Sequence, residues 1–138
     1  MKEYKKILKM HIFERDHGKC RFCQKELKPD KCTLDHYLPK SDGGPESSCN
    51  LVLSCKKCNR LKGGRTPEDY EKVIVELFKR EVGDRWIRAN KIEISYRQLQ
   101  GMVEKLSSFK IVDDCSVFTG DGITIYVKNN RIVRILNN

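Results

Sequence analysis

Two hydrophobic patterns alternate along this chain of 138 residues. Apolar residues that recur every three or four positions predict amphipathic helices, and short apolar runs that alternate with polar residues predict strands. The predicted helices cover 3–17, 55–62, 67–82 and 95–106. The predicted strands cover 32–37, 51–53, 109–118 and 123–136, the last with a two-residue turn at Asn129-Asn130.

Turn-forming residues set the boundaries between these elements. Gly18 ends the first helix and Gly63 the second, while Ser54 and Thr66 stand where N-caps are expected. The segment 39–48 consists of Pro, Lys, Ser, Asp, Gly and Glu without periodicity, so we expect an exposed loop.

The best division of the chain lies near residues 64–67, which gives a first domain at 1–66 and a second at 67–138. Each part mixes helices and strands, so the predicted fold class is α+β. A segment of about 65 residues buries little surface and is marginally stable unless a metal or another crosslink holds it. The first domain therefore needs such a crosslink.

Charge separates the two parts. The net charge is +9, and residues 1–66 hold 16 Lys or Arg against 8 Asp or Glu, whereas residues 67–138 hold 12 against 11. A basic field on the first part would attract a polyanion such as nucleic acid. A solvated, soluble surface would explain the same charge, so charge alone does not decide between them.

Membrane and secretory signals are not evident in the sequence. No run of about 18 apolar residues occurs, and the charged start at 1–6 leads to no apolar stretch. Four of the seven cysteines have metal-binding spacing, which is typical of reduced thiols. We therefore expect a cytoplasmic protein without a membrane partner.

Two CxxC pairs carry the strongest motif. Cys20 and Cys23 form the first pair, Cys55 and Cys58 form the second, and 31 residues separate the pairs. Each pair presents two thiolates from one tight turn, and four thiolates suit structural zinc. A redox pair or free thiols are the alternative. Cys32, Cys49 and Cys115 lack a CxxC partner and are interpreted as small buried side chains.

Residues between and beside the cysteine pairs have the chemistry of phosphodiester hydrolysis. His36 can take a proton from water, and Asp35 and Asn59 offer hard oxygen ligands for Mg²⁺ or Mn²⁺. Asn50 can tie the exposed loop to the histidine strand, and Lys62 can reach a phosphate. Each of these residues alone is as well explained by a cap, a turn or a surface position.

The segments Leu34 to Gly44 and Asn50 to Gly63, with the preceding 13–23, resemble an HNH endonuclease. The resemblance covers about residues 10–68. It implies a ββα-metal fold in which the cysteines hold structural zinc, His36 is the general base, and Asp35 binds the catalytic metal. It also implies that Asn50 orients the histidine loop, and that Asn59, in place of the family's last histidine, is the second metal ligand.

The resulting expectation is a zinc-stapled ββα-metal core with a C-terminal α+β extension of unknown role. The expected function is a metal-dependent DNA endonuclease or nickase, with structural Zn²⁺ and catalytic Mg²⁺ or Mn²⁺. Its expected partner is double-stranded DNA, and a homodimer or a phage or mobile-element protein are further partners to consider. The alternatives are a zinc module that binds nucleic acid without cleaving it, and a zinc scaffold for an acidic protein.

Overall fold

The computed structural model describes residues 2–138. The helices are α1 (Lys2–Arg15), α2 (Lys56–Lys62), α3 (Tyr70–Gly83) and α4 (Tyr96–Val103). The strands are β1 (Thr33–His36), β2 (Leu51–Ser54), β3 (Arg88–Ala89), β4 (Ser108–Val112), β5 (Cys115–Gly120), β6 (Ile123–Lys128) and β7 (Arg131–Asn137). This mixture confirms the predicted α+β class. None of the helices in the described range has the length and apolar character needed to cross a membrane.

The first part of the chain builds a hairpin and a helix. Strands β1 and β2 pair antiparallel with Asp35 opposite Val52 and His36 opposite Leu51, and helix α2 follows directly. This ββα order confirms the expected core. All of β2 is buried, so its backbone is a fixed support for the strand that ends at His36.

The second part is a five-stranded sheet in the order β3-β7-β6-β5-β4, which helix α3 covers. Pairing is antiparallel except between β3 and β7, which are parallel. Along β6, buried Ile123, Ile125 and Val127 alternate with more exposed residues, which is the pattern of a sheet with one covered face.

One hydrophobic cluster joins the two parts. It combines Tyr37, Leu38, Cys49 and Val52 from the first part with buried residues of α3 and the five-stranded sheet. No packing gap therefore separates 1–66 from 67–138 within the described residues, and the division at 66/67 stays a prediction about domains.

A buried ionic network reinforces this junction. Arg15 of α1 donates to Glu81 Oε1 of α3 at 2.5 Å and to the backbone oxygens of Ser48 (2.9 Å) and Leu51 (2.6 Å). Glu81 is fully buried, and its second oxygen lies 2.6 Å from His11 Nε2. A buried charge of this kind is tolerated only because partners surround it.

The two N-caps expected at Ser54 and Thr66 were wrong. Helix α2 is capped by Cys55, whose sulfur accepts from the Cys58 N–H at 3.3 Å. Helix α3 starts at Tyr70 with Asp69 in the N-cap position, and the Thr66 hydroxyl bonds to Asp42 and not to the helix. The predicted capping by Gly63 is confirmed.

The single strand predicted over 109–118 was also wrong. The chain turns at Asp113-Asp114, both at positive φ (48° and 66°), so that β4 and β5 form a hairpin. This backbone is typical of a tight hairpin turn, where Asn-Gly or Asp-Gly is the usual signal. Two aspartates gave no such signal. The turn at Asn129-Asn130 was predicted and is present between β6 and β7.

Candidate functional site

The four CxxC cysteines come together as the spacing predicted. The sulfurs of Cys20, Cys23, Cys55 and Cys58 all lie within 4.8 Å of one another. A zinc ion with bonds of about 2.3 Å needs sulfurs roughly 3.8 Å apart, so the cluster fits a tetrahedral zinc site. It links the turn after α1 to the start of α2.

The surroundings of these sulfurs favour a thiolate at Cys20 and a neutral thiol at Cys58. Burial alone would raise the pKa of Cys20, but backbone N–H groups of Cys23, Cys55 and Phe22 donate to its sulfur and bring its pKa to about 6. The pKa of Cys58 is raised to about 12, first by its hydrogen bond with Cys55 and then by the other sulfurs nearby. Four thiolates together repel one another, and a bound cation removes that repulsion.

The remaining cysteines are not part of this cluster. Cys32 and Cys49 are buried, as interpreted from the sequence, and Cys115 is half-buried. Full burial raises the pKa of the Cys49 thiol to about 12, which keeps it neutral. Its sulfur contacts the Ser47 hydroxyl at 3.2 Å.

Asp35 lies in β1 with its carboxylate against α2. Its side chain is 10% exposed, and Lys62 Nζ is 3.3 Å from its Oδ2. Burial raises the pKa of Asp35, and the charges of Lys62 and His36 offset this only in part. Within residues 2–138, Oδ2 has no partner with hydrogen-bond geometry. A buried carboxylate oxygen held by charge alone is suited to a cation ligand.

Lys62 is enclosed between the two motif residues of β1. Its ammonium donates to the His36 carbonyl at 3.0 Å and faces Asp35, and its side chain is 7% exposed. This position differs from the solvent-facing one that the predicted phosphate contact requires. The phosphate role of Lys62 stays a prediction, and it requires the side chain to turn away from Asp35.

His36 faces the loop between β1 and β2. Its Nε2 lies 3.1 Å from Glu46 Oε1, and the imidazole is 22% exposed. The same Glu46 oxygen accepts from Lys40 at 2.8 Å. That Lys40 bond, with a smaller effect of His36, lowers the pKa of Glu46 against the opposing effect of burial. The carboxylate therefore stays charged beside the histidine.

Asn50 holds the ends of this loop together. Its Oδ1 accepts from the Leu38 N–H at 2.8 Å, and its Nδ2 donates to the oxygens of Leu38 (3.0 Å) and Pro45 (3.1 Å). The side chain is fully buried. Asn50 thus supports the segment that follows His36, in keeping with the tie predicted from the sequence.

Gly44 lets this loop close tightly. A Cβ at this position would lie 1.7 Å from the Leu38 carbonyl oxygen and 2.8 Å from that of Pro39. Its N–H donates to the Pro39 oxygen at 2.9 Å. Only glycine fits such a close approach of two backbones.

Asn59 is half-buried on α2, three residues before Lys62. Residues three apart on a helix share a face, so Asn59 lies on the side of α2 that meets β1. The structure therefore brings Asp35, His36 and Lys62 together, places Asn59 on the adjoining helix face, and uses Asn50 as a loop support.

Sequence reasoning did not identify Glu46. The residue lies in a Pro- and Gly-rich loop, ten positions after His36, and no periodicity connects the two. Only the folding of the loop by Gly44 and Asn50 places its carboxylate beside the imidazole.

Comparison with known proteins adds a family. Residues 20–74 match the family model described as HNH endonuclease. The crystal structure of the Type II-C Cas9 enzyme from Actinomyces naeslundii is similar over 54% of this chain and 10% of that protein, with a TM-score of 0.42 and 23% identity. The chain thus spans about a tenth of that protein's length.

The matched residues include both cysteine pairs, Asp35, His36, Asn50, Asn59 and Lys62. The match supports a nuclease-type function. Over residues 20–74, the chain is therefore similar to the HNH endonuclease family.

Proposed function

We propose that this protein is a metal-dependent DNA endonuclease or nickase in which His36 is the general base. The observation that carries the proposal is that a partly exposed imidazole and a buried carboxylate oxygen belong to adjacent residues at the end of one strand. Asp35 Oδ2 lacks a hydrogen-bond partner within the described residues, and His36 is oriented by Glu46.

In this proposal, Glu46 selects the tautomer of the imidazole through its contact with Nε2. When Nε2–H donates to the charged Glu46 carboxylate, Nδ1 is the unprotonated nitrogen that can accept a proton from water. The hydrogen bond also fixes the plane of the imidazole ring. In many active sites a neighbouring residue orients the catalytic base in the same way.

The residues around Asp35 fit a divalent cation. Asp35 Oδ2, which is ion-paired with Lys62 at 3.3 Å, and the Asn59 amide on the adjoining helix face would hold Mg²⁺ or Mn²⁺ through hard oxygen ligands. A bound cation supplies charge that stabilises the phosphate and its leaving oxygen. Lys62 already places one positive charge next to Oδ2 at 3.3 Å.

The four-cysteine cluster has a separate role in this proposal. A closed site with four thiolates leaves no position for substrate, so its zinc is structural. It fixes the start of α2, and thereby the direction in which Asn59 and Lys62 project toward β1.

Double-stranded DNA is the proposed substrate. The excess of 16 basic over 8 acidic residues in 1–66 lies on the part that carries the site. A positive field there would raise the local concentration of DNA and steer it to His36.

The direct test is plasmid nicking by a His36→Ala variant. Supercoiled plasmid is incubated with the zinc-loaded protein, with and without added Mg²⁺. We expect wild-type cleavage that requires the added Mg²⁺, and a loss of about 10²- to 10⁴-fold in the variant because a general base contributes that much. His17→Asn, an exposed histidine outside the site, is the matched control and should cleave normally.

Zinc content, circular dichroism and DNA affinity of His36→Ala should match wild type, since the base acts in the chemical step. Undiminished cleavage by His36→Ala would refute the role of this histidine. DNA binding by a folded wild-type protein that cleaves with neither Mg²⁺ nor Mn²⁺ would instead identify a non-catalytic zinc module.

A further inference from the structure

The C-terminal sheet carries a row of basic side chains. The near-neutral net charge of residues 67–138 gives no sign of this row. In the β-sheet register, Arg88 of β3 is opposite Arg131 of β7, and Arg131 is opposite Lys128 of β6. Register partners project from the same face of a sheet, so these three side chains form one row across three strands. We call it the cation row.

The cation row lies on the open face of the sheet. Arg88, Lys128 and Arg131 are exposed, whereas their chain neighbours Val127 and Ile132 are buried in the core. Like charges directly opposite one another in a sheet are destabilising. Within residues 2–138, no carboxylate lies within 4.0 Å of any of the three to neutralise them.

A cavity of about 390 Å³ adjoins the row. The three cations line it together with Tyr4 and Trp86, and no acidic residue is among the described residues of its wall. Its volume falls within the roughly 300–1,000 Å³ of ligand-binding clefts. The buried indole N–H of Trp86 has no hydrogen-bond partner in the described part of the chain. Aromatic walls beside guanidinium groups are typical of nucleic-acid surfaces.

This surface is physically connected to the candidate active site. Asn130, at the turn between β6 and β7, accepts from the Ser48 N–H at 2.8 Å and from the Ser47 hydroxyl at 3.1 Å. Ser47 directly follows Glu46, the partner of His36. The Asn130 amide also donates to Tyr4 at 3.0 Å. The cavity wall and the loop of the candidate base are thus fixed to each other.

We propose that the cation row and its cavity form a second DNA-binding site that holds the phosphate backbone of the strand leading to His36. Guanidinium groups suit this task because they bind phosphate oxygens bidentately. Contacts of this kind position the duplex without reading its sequence. The proposal rests on the DNA substrate of the proposed function, and it assigns a role to residues 67–138.

The test measures DNA affinity without cleavage. A labelled DNA duplex is titrated without added Mg²⁺ or Mn²⁺ at several salt concentrations with wild type and with the triple variant Arg88→Gln, Lys128→Gln and Arg131→Gln. At about 0.9 per phosphate contact, the log–log salt slope should fall by roughly 2.7. The matched control replaces exposed Lys72, Lys105 and Lys110 by Gln. Its log–log salt slope should differ from that of wild type by less than about 0.9, the value of one phosphate contact.

Thermal melting shows that the triple variant folds, and removing like-charge repulsion should leave its Tm equal to or above that of wild type. Equal affinity and salt slope for wild type and the triple variant would overturn the proposal. An equal loss in the control would also overturn it, since any positive charge would then suffice. The proposal would also be overturned if the protein bound phosphatidylserine vesicles but not DNA, and if the triple variant lost the binding to vesicles.

The result is independent of cleavage. If His36→Ala still cleaves but the triple variant loses DNA, the proposed base is wrong and the second site stands. If His36→Ala is inactive and the triple variant binds DNA normally, the proposed base is supported and the second DNA-binding site is wrong.

Discussion

The two parts of this molecule are stabilised differently. Around the C-terminal sheet, the larger cluster packs Phe78 against Phe118 and continues through Ile125 and Ile132, all fully buried. The ββα part rests on a small cluster of its own, which consists of Leu8, Ile12, Cys32, Leu51 and Leu53. It depends in addition on four converging thiols and on a buried ionic contact with α3.

This difference has a functional meaning. A catalytic site needs exposed polar groups in fixed positions, and a large apolar core around it would leave no room for them. A metal crosslink and buried hydrogen bonds can fix the same positions with little apolar area. The site part is therefore expected to fail first when its crosslink is removed, whereas the sheet part should keep its structure.

The largest effect is expected from loss of the thiol cluster. Cys55→Ser should unfold the ββα part, because structural zinc contributes about 10–16 kcal/mol in isolated zinc-binding peptides. We expect about one zinc per wild-type chain by elemental analysis and close to none in the variant. Hydrogen exchange should show lost protection in β1, β2 and α2.

Cys115→Ser is the control, since this half-buried cysteine lies in β5 outside the cluster. It should keep zinc and fold. A natively purified, well-folded wild-type protein without zinc would contradict the claim that the ββα part needs a metal crosslink. Its small hydrophobic cluster would then be enough to keep it folded.

The next effect concerns the junction of the two parts. Arg15→Leu should lower the free energy of unfolding by about 3–5 kcal/mol, because it leaves Glu81 charged and buried without its main partner. Urea denaturation measures the loss. Arg80→Leu, which removes an exposed pair with Asp84, should cost about 0–1 kcal/mol.

If Arg15→Leu costs no more than Arg80→Leu, the buried network does not hold the parts together. Replacing Glu81 by Leu as well should recover stability, since the uncompensated charge is then gone.

The smallest effect is expected at the loop between β1 and β2, which carries Glu46. Glu46→Gln removes an exposed carboxylate bonded to Lys40 and His36, so it should cost at most about 1 kcal/mol. Because the folded-state pKa of Glu46 is lowered, its contribution is complete above the ordinary pKa of about 4.3 and is lost as pH falls through the folded value.

The Tm difference between wild type and Glu46→Gln should therefore be largest at neutral pH and vanish in acid. Glu68→Gln, at an exposed glutamate without an ion pair within residues 2–138, should show no such trend. A difference that grows toward low pH would mean that Glu46 has a raised pKa in the folded protein.

The sequence predicted what depends on local spacing. The CxxC cysteines were found because each pair is a short-range motif, and β1, β2 and α2 followed from short apolar runs and turn residues. The turn at Asn129-Asn130 was found because amide residues adopt positive φ readily.

Contacts between distant segments had no signal in the sequence. The Arg15–Glu81 pair is separated by 66 positions, and Lys62 approaches Asp35 only after α2 packs on β1. The net charge of the C-terminal part was a poor guide for the same reason, because strand register, and not composition, brings Arg88, Lys128 and Arg131 together. Caps were misassigned where a side chain had a stronger tertiary partner, as Thr66 has in Asp42.

The close approach at Gly44 limits how this protein can be redesigned. The exposed loop before β2 is a natural place to diversify residues beside His36, and Lys40, Ser41 and Asp42 all face solvent there. Any side chain at position 44 would collide with the Leu38 carbonyl, which Asn50 also uses. A library that randomises the whole loop would therefore consist mostly of misfolded members, whereas one that keeps Gly44 leaves the histidine support intact.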